Sequence, residues 1–232
     1  MVTRVQDYWI VDKIICARRS VRAFLDTPID PVIIRQILEV ASRAPSGTNT
    51  QPWQVYVLTG AVKERLSNEI VDAFLDPEKV NRYQEEYDYY PSSWIEPFIS
   101  RRRKVGLDLY GLLGLRKEDR AGMQQQHARN FRFFDAPVGL IFTIDRVMGK
   151  GSLLDYGMFM ENIMISARAH GLATCAQAAF NQFHTIIERQ LNLPDNESVV
   201  CGMALGYEDK RAIVNTLKTM RAPIDEFVKF LS

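Results

Sequence analysis

The sequence predicts a single α+β domain over residues 1–232, and three observations carry that reading. Segments with helical apolar spacing alternate with short β-rich runs along the chain. Two of those runs, APVGLIFTID (136–145) and SVVCGMALGY (198–207), are apolar almost throughout, as strands covered on both faces are. No internal repeat, low-complexity tract or convincing linker divides the chain.

In chain order, Tyr8, Val11, Ile14 and Ile15 have helical spacing, and that helix runs into the arginines of ARRSVRAF (17–24). Asp30-Pro31 reads as an N-cap followed by proline at the first helical position. Ile33, Ile34, Ile37, Leu38 and Ala41 then repeat about every four residues. RAPSGTNTQP interrupts that helix with two prolines and a glycine. WQVYVLTG is a short strand ending at Gly60, residues 61–75 are helical, and Asp76-Pro77 stops them. From there to about Arg120 the pattern is irregular and rich in tyrosine and charge. After the 136–145 strand, residues 155–172 form a helix capped by Gly171. ATCAQ is a brief strand, FHTIIERQLNL a helix and SVVCGMALGY a strand. The tail from Thr216 has no strong period before IDEFVKFL.

Composition narrows the function classes. Hydrophobic residues make up 47% and charged residues 25%, the mix of a globular protein rather than a disordered one. A net charge of +1 argues against broad nucleic-acid binding. No apolar run is long enough to span a bilayer, and charges interrupt the N-terminal segment where a signal peptide would be apolar. Three cysteines without CxxC spacing and three histidines give no support for a metal site, so a cytoplasmic protein with reduced thiols is expected.

Against that neutral background the concentration of cations at Arg18, Arg19 and Arg22 around Ser20 needs an explanation. Guanidinium forks with a hydroxyl suit a phosphate, while the same charges also suit a solvated helix end that offsets the helix dipole. The loop APSGTNTQPW offers small residues and polar side chains at Ser46, Thr48, Asn49 and Gln51, as a flat ligand would need or as an ordinary connector would carry. GLATCAQAAF offers backbone amides at Ala178 and Ala179, or simply a buried strand-to-helix junction.

Taken in order, RRSVRAF, APSGTNTQPW, GLATCAQAAF, GYED and NTLKTMRAP resemble the FMN-dependent nitroreductase family, from about Ile14 to Pro223. SSWIEPF, SRRRKVGLDLY and NFRFFDAP are similar to its nitrobenzoate and nitrobenzene-reducing branch. The resemblance implies a mixed, mainly antiparallel sheet flanked by helices, in an intertwined homodimer with FMN at the interface. It also implies that Arg18, Arg19 and Ser20 hold the FMN phosphate with Arg221. Arg22 would face the N1/O2 edge of the ring, where a fixed cation favours the reduced state. Pro45, Ser46, Gly47, Asn49 and Gln51 would line the ring from the other subunit, and the amides of Ala178 and Ala179 would lie near N5 and O4. The helix at 155–170, apolar nearly all round, suits burial at such an interface, although an ordinary core helix reads the same way.

The implied reaction is ping-pong: NADH or NADPH gives hydride to FMN N5, and the flavin then reduces a nitroaromatic to nitroso and hydroxylamine products. No side chain is marked as catalytic, the chemistry being the flavin's. Specificity is expected in the aromatic segment 81–134. Tyr90, Trp94, Phe131 and Phe134 are the candidate substrate contacts, and Arg101 to Lys104 would attract an acidic substrate. Two other readings belong to the same resemblance. One is reductive dehalogenation or enone reduction on this scaffold. The other is a flavin-binding or flavin-consuming protein that turns over no substrate.

Overall fold

The protein is described here by a computed structural model covering residues 5–231. In chain order it comprises α1 (Val5–Ala17), α2 (Pro31–Ala41), β1 (Trp53–Leu58), α3 (Gly60–Leu75), α4 (Pro77–Val80), α5 (Phe98–Leu112) and α6 (Arg120–Ala128). β2 (Val138–Asp145), α7 (Ser152–Ala169), β3 (Ala173–Gln177), α8 (His184–Leu191) and β4 (Glu197–Gly206) follow.

The four strands form one antiparallel sheet in the order β1-β2-β4-β3. At its β3 edge the segment after α1 adds a parallel bridge, Ser20 to Thr174, with the Val21 N–H donating to the Thr174 carbonyl at 3.0 Å. The expected mixed, mainly antiparallel sheet flanked by helices is therefore present.

β2 explains its own continuous apolar run. Val138, Leu140, Phe142 and Ile144 pack on one face with Ile34 and Ile37 of α2 and Phe159 and Ile163 of α7. Ile141 faces the opposite layer, with Leu66 and Ile70 of α3 and the rings of Phe131, Phe133, Phe180 and Phe183. Both faces are covered, so neither tolerates polar alternation. Gly139 matters here, because a Cβ would lie 2.6 Å from the Phe133 ring, which stacks on Phe180 at 4.6 Å. Tyr156 pins β1 to β2 from below, its hydroxyl lying 2.7 Å from the Gln54 carbonyl and 2.9 Å from that of Thr143.

Local signals act as the sequence suggests. The Asp30 carboxylate accepts from the Val32 N–H at 2.8 Å, and Pro31 opens α2. Gly171 follows α7 with φ +76°, a left-handed cap where a side chain would be strained. Asp76 ends α3 and its carboxylate caps α4.

Several expectations change. The stretch 98–112, read as irregular, is α5. None of its residues is buried, so it carries no apolar stripe to betray a helix. IDEFVKFL forms only a short turn at Ile224–Glu226. Phe131 and Phe134, expected as substrate contacts, are 0% and 2% exposed and belong to the core. Phe133 and Phe134 adopt φ +52°, and their rings join Phe131 in the buried layer rather than facing a ligand. In α7, Tyr156, Phe159 and Ile163 face the core, and the apolar side chains of Leu154 and Met158 are exposed in the single chain, 75% and 40%.

Candidate functional site

Beyond Ala17 the chain leaves the helix and runs extended along the sheet edge, and this decides where the arginines point. Successive side chains of an extended segment face opposite ways. Arg18, Ser20 and Arg22 all act on the buried Cys175 thiol of β3. Burial pushes that thiol up, and Arg22, the Ser20 hydroxyl and Arg18 pull it back down. Arg19 is committed elsewhere, paired with Glu208 and donating to the Asn215 carbonyl at 2.6 Å. The cluster expected as one phosphate grip thus splits: Arg18, Ser20 and Arg22 gather beside β3, and Arg19 fastens the segment to 208–215.

Ser20 is exposed, and Arg18 and Arg22 are half-buried. Arg18 Nε lies 3.4 Å from Glu161 of α7, a contact that leaves its terminal amines available. Arg22 donates to the Ser20 carbonyl at 3.3 Å and its backbone N–H donates to Asn215 Oδ1 at 2.8 Å.

The turn after β3 holds Ala178 and Ala179, both half-buried. Gln177, immediately before it, is 3% exposed. Its Nε2 donates to the Asn130 carbonyl at 2.6 Å, and its Oε1 has no partner among the described residues. An orphaned buried acceptor costs about 1–3 kcal/mol.

The loop 45–51 is exposed apart from half-buried Ser46, and its backbone is strained. Thr48, Asn49 and Gln51 have φ of 49°, 61° and 50°, the left-handed region that non-glycine residues avoid. Ser46 holds it together, its hydroxyl accepting from Gln51 N at 3.0 Å and its carbonyl from Asn49 N at 3.0 Å. Gly47 N donates to Asp155 of α7 at 3.2 Å. Asp155 and Glu161, which meet the loop and Arg18 respectively, are about 9 Å apart along α7 by helical rise.

Arg221 lies apart from this group. It lines a 650 Å³ cleft with Arg101 and Lys104 of α5 and Met220 and Phe227 of the tail, and Arg18, Arg19 and Arg22 are not among its walls. Tyr90 is exposed and Trp94 half-buried, and the two rings meet at 5.6 Å.

Two residues that no sequence signal marked organise the surroundings. Asn215 ties 208–215 to the arginine segment, and Asn181 ties 86–87 to the turn after β3, with Oδ1 accepting from Glu86 N at 3.1 Å and Nδ2 donating to the Tyr87 carbonyl at 2.9 Å. Nearby, Glu86, His184 and Glu188 bring three potential metal-ligand atoms together, but Arg146 pairs with both carboxylates, making this an ion-pair network. Among the described residues no helix is long and apolar enough to cross a membrane.

The chain is 42% identical over 220 residues to a 4-nitrobenzoate reductase of Pseudomonas putida, covering 95% of each sequence. It is 40% identical over 222 residues to a chloronitrobenzene nitroreductase of Comamonas testosteroni, covering 95% of this chain and 96% of that one. Its fold superposes on the FMN-dependent nitroreductase NfnB from Mycobacterium smegmatis, solved in complex with NADPH, with a TM-score of 0.91 and 28% identity over 97% and 99% of the two chains. The nitroreductase family profile matches residues 15–207, and the chain belongs to the nitroreductase family.

Proposed function

We propose that this chain is an FMN-dependent NAD(P)H nitroreductase acting by a ping-pong cycle on nitroaromatic compounds, in a homodimer. The observation that carries the proposal is the extended run through Arg18, Ser20 and Arg22 along the β3 edge, fixed by the Ser20–Thr174 bridge and the Val21 N–H bond to the Thr174 carbonyl.

The residues present fit FMN chemically. Two guanidinium groups and an exposed hydroxyl suit a phosphate and an electron-rich ring edge. The strained, exposed loop at 45–51 suits close backbone approach to a flat ring. Arg18 and Ser20 would hold the phosphate, and Arg221 is the tail's candidate further donor. Arg22 would present fixed positive charge where negative charge builds on the ring. Bound there, FMN would supply two-electron redox chemistry between NAD(P)H and a nitro group. Ala178 and Ala179 would orient the ring edge, and Pro45, Ser46, Gly47, Asn49 and Gln51 would close over it from the partner subunit.

Exposed apolar side chains support the dimer. Trp9, Ile10 and Val11 on α1 are 50–61% exposed, and Phe227 and Phe230 on the tail are 70% and 85% exposed. Patches of this kind mark contact surfaces.

The test is the visible spectrum of the purified protein after incubation with FMN, followed by anaerobic addition of NADH or NADPH and then of nitrobenzene, 4-nitrobenzoate or iodotyrosine. Bound flavin that bleaches with the nicotinamide and recovers with the nitro compounds is expected. Failure to bind FMN, failure of the bound flavin to bleach, or preferential turnover of iodotyrosine would overturn the reading.

A further inference from the structure

The four cations at 101–104 on α5 are not equivalent. Arg101 is paired with Glu226 at 2.8 Å, and Lys104 with Asp108 at 2.9 Å. Arg102 has no carboxylate partner among the described residues. Its guanidinium carbon instead sits 5.0 Å from the Trp94 ring centroid and 5.7 Å from that of Tyr90, and Tyr89 braces Tyr90 edge-on at 4.7 Å. A guanidinium on an aromatic face keeps its N–H donors pointing outward in its own plane, in the fork geometry that matches a carboxylate. Stacking also limits the rotamers that a long side chain would otherwise lose on binding.

The platform's position follows from its anchor. Asn181 is fully buried and bonded through both ends of its amide to Glu86 and Tyr87, and the Tyr87 hydroxyl donates to the Val200 carbonyl at 2.6 Å. Asn181 follows Ala179 by two residues, and Tyr90 follows Tyr87 by three, a reach of at most about 10 Å. Tyr90, on which Arg102 stacks, therefore lies only three residues along the chain from Tyr87, which Asn181 anchors beside the turn that would meet the reactive edge of the ring.

We infer that Arg102, seated on Tyr90 and Trp94, is a specificity determinant that binds the carboxylate of the substrate, so that the preferred oxidants are nitroaromatic acids rather than neutral nitroarenes. The inference rests on the nitroreductase reading above and adds a substrate class to it. Arg103 also lacks a carboxylate partner among the described residues but has no aromatic platform there, and Arg101 and Lys104, paired at the surface, contribute background potential only.

The experiment uses the FMN-loaded protein and Arg102→Gln and Arg102→Lys. Benzoate, which cannot be reduced, serves as the binding probe, by calorimetry and as a competitive inhibitor of nitrobenzene reduction. Arg102→Gln is expected to weaken benzoate and to raise KM for 4-nitrobenzoate about tenfold, the scale of one partly exposed charged hydrogen-bonded pair. The value of kcat/KM for nitrobenzene and the FMN content should stay within about twofold. Arg102→Lys should recover only part of the loss, because an ammonium cannot fork. An equal effect on nitrobenzene and 4-nitrobenzoate, or none on either, overturns the inference while leaving the nitroreductase reading intact. A wild-type protein whose flavin NAD(P)H does not reduce overturns both.

Discussion

Asn215 Oδ1 accepts a hydrogen bond from the backbone N–H of Arg22 at 2.8 Å, joining positions 193 residues apart in the chain. Asn215 Nδ2 donates to the carbonyls of Ala23 at 2.8 Å and Asp209 at 2.9 Å, and the residue is 4% exposed. One amide thus holds the arginine segment in its extended path. Asn215→Ala leaves the Arg22 N–H without its partner, while the Ala23 and Asp209 carbonyls each keep one other donor, Asp209 N and Ala212 N. One orphaned buried group costs about 1–3 kcal/mol. Urea denaturation should show a loss of that size, and FMN retention should fall with it, since Arg22 and Ser20 would no longer be held in place.

The split between Arg18 and Arg19 gives a pair of opposite outcomes. Arg18→Ala removes a candidate phosphate donor whose only ion pair among the described residues is a 3.4 Å contact with Glu161. It should lower FMN affinity tenfold or more, at about 1.4 kcal/mol per tenfold, with the apo protein's denaturation midpoint unchanged. Arg19→Ala removes the partner of Glu208, whose side chain is only 9% exposed, and a bond to the Asn215 carbonyl. It should cost about 1–3 kcal/mol of stability and weaken FMN less than Arg18→Ala does. Flavin released on dialysis and urea midpoints of both variants separate the roles. Equal loss of flavin from the two would return Arg19 to the phosphate grip.

Phe131 and Trp94 test where the aromatic residues act. Phe131 is fully buried, with ring contacts to Phe180 at 5.7 Å and Phe183 at 5.0 Å, so Phe131→Ala should destabilise by about 3–5 kcal/mol. Trp94 is half-buried at the surface, and Trp94→Ala should cost about 1 kcal/mol or less. Its effect should appear in KM for aromatic acids. Thermal denaturation and steady-state kinetics of the two variants check this contrast.

What was legible in the sequence follows from what each residue touches. β2 could be read because both its faces are buried and each position carries its own apolar demand. α2 could be read because Asp30 and Pro31 act within one turn of chain. α5 could not, since none of its residues faces the core. The arginine cluster was legible as chemistry but not as geometry. Reading it as a helix end hid the alternation that sends Arg19 to Glu208 and leaves Ser20 beside Cys175. Phe131 and Phe134 looked like ligand contacts because composition cannot show that the turn at Phe133 and Phe134 folds the rings inward. Asn215 and Asn181 act on backbone groups far away in the chain, and a lone asparagine carries no mark of that.

Tyr156 makes stability depend on alkaline pH. Its ring is 1% exposed, and burial is the main cause that pushes its phenol well above the ordinary value, with Cys201 and Glu197 adding to the rise and the hydrogen bonds to Gln54 and Thr143 opposing it. Tyr56 is pushed up to about 12 by burial and by its hydrogen bond to Glu197, whose charge adds to the effect. A phenol raised in the folded state contributes stability that is complete below the unfolded value of about 10 and is lost as pH rises from there toward the folded value. Tyr156→Phe should be less stable than wild type at pH 8, because the Gln54 and Thr143 carbonyls lose their donor, by about 1–3 kcal/mol. Above pH 10 the gap should narrow, since only the wild type has a phenol at this position that ionises on unfolding. Urea midpoints of both proteins from pH 8 to pH 11, with tyrosinate absorbance followed in parallel, measure the difference. A gap that stays constant across that range would mean that Tyr156 already ionises in the folded protein.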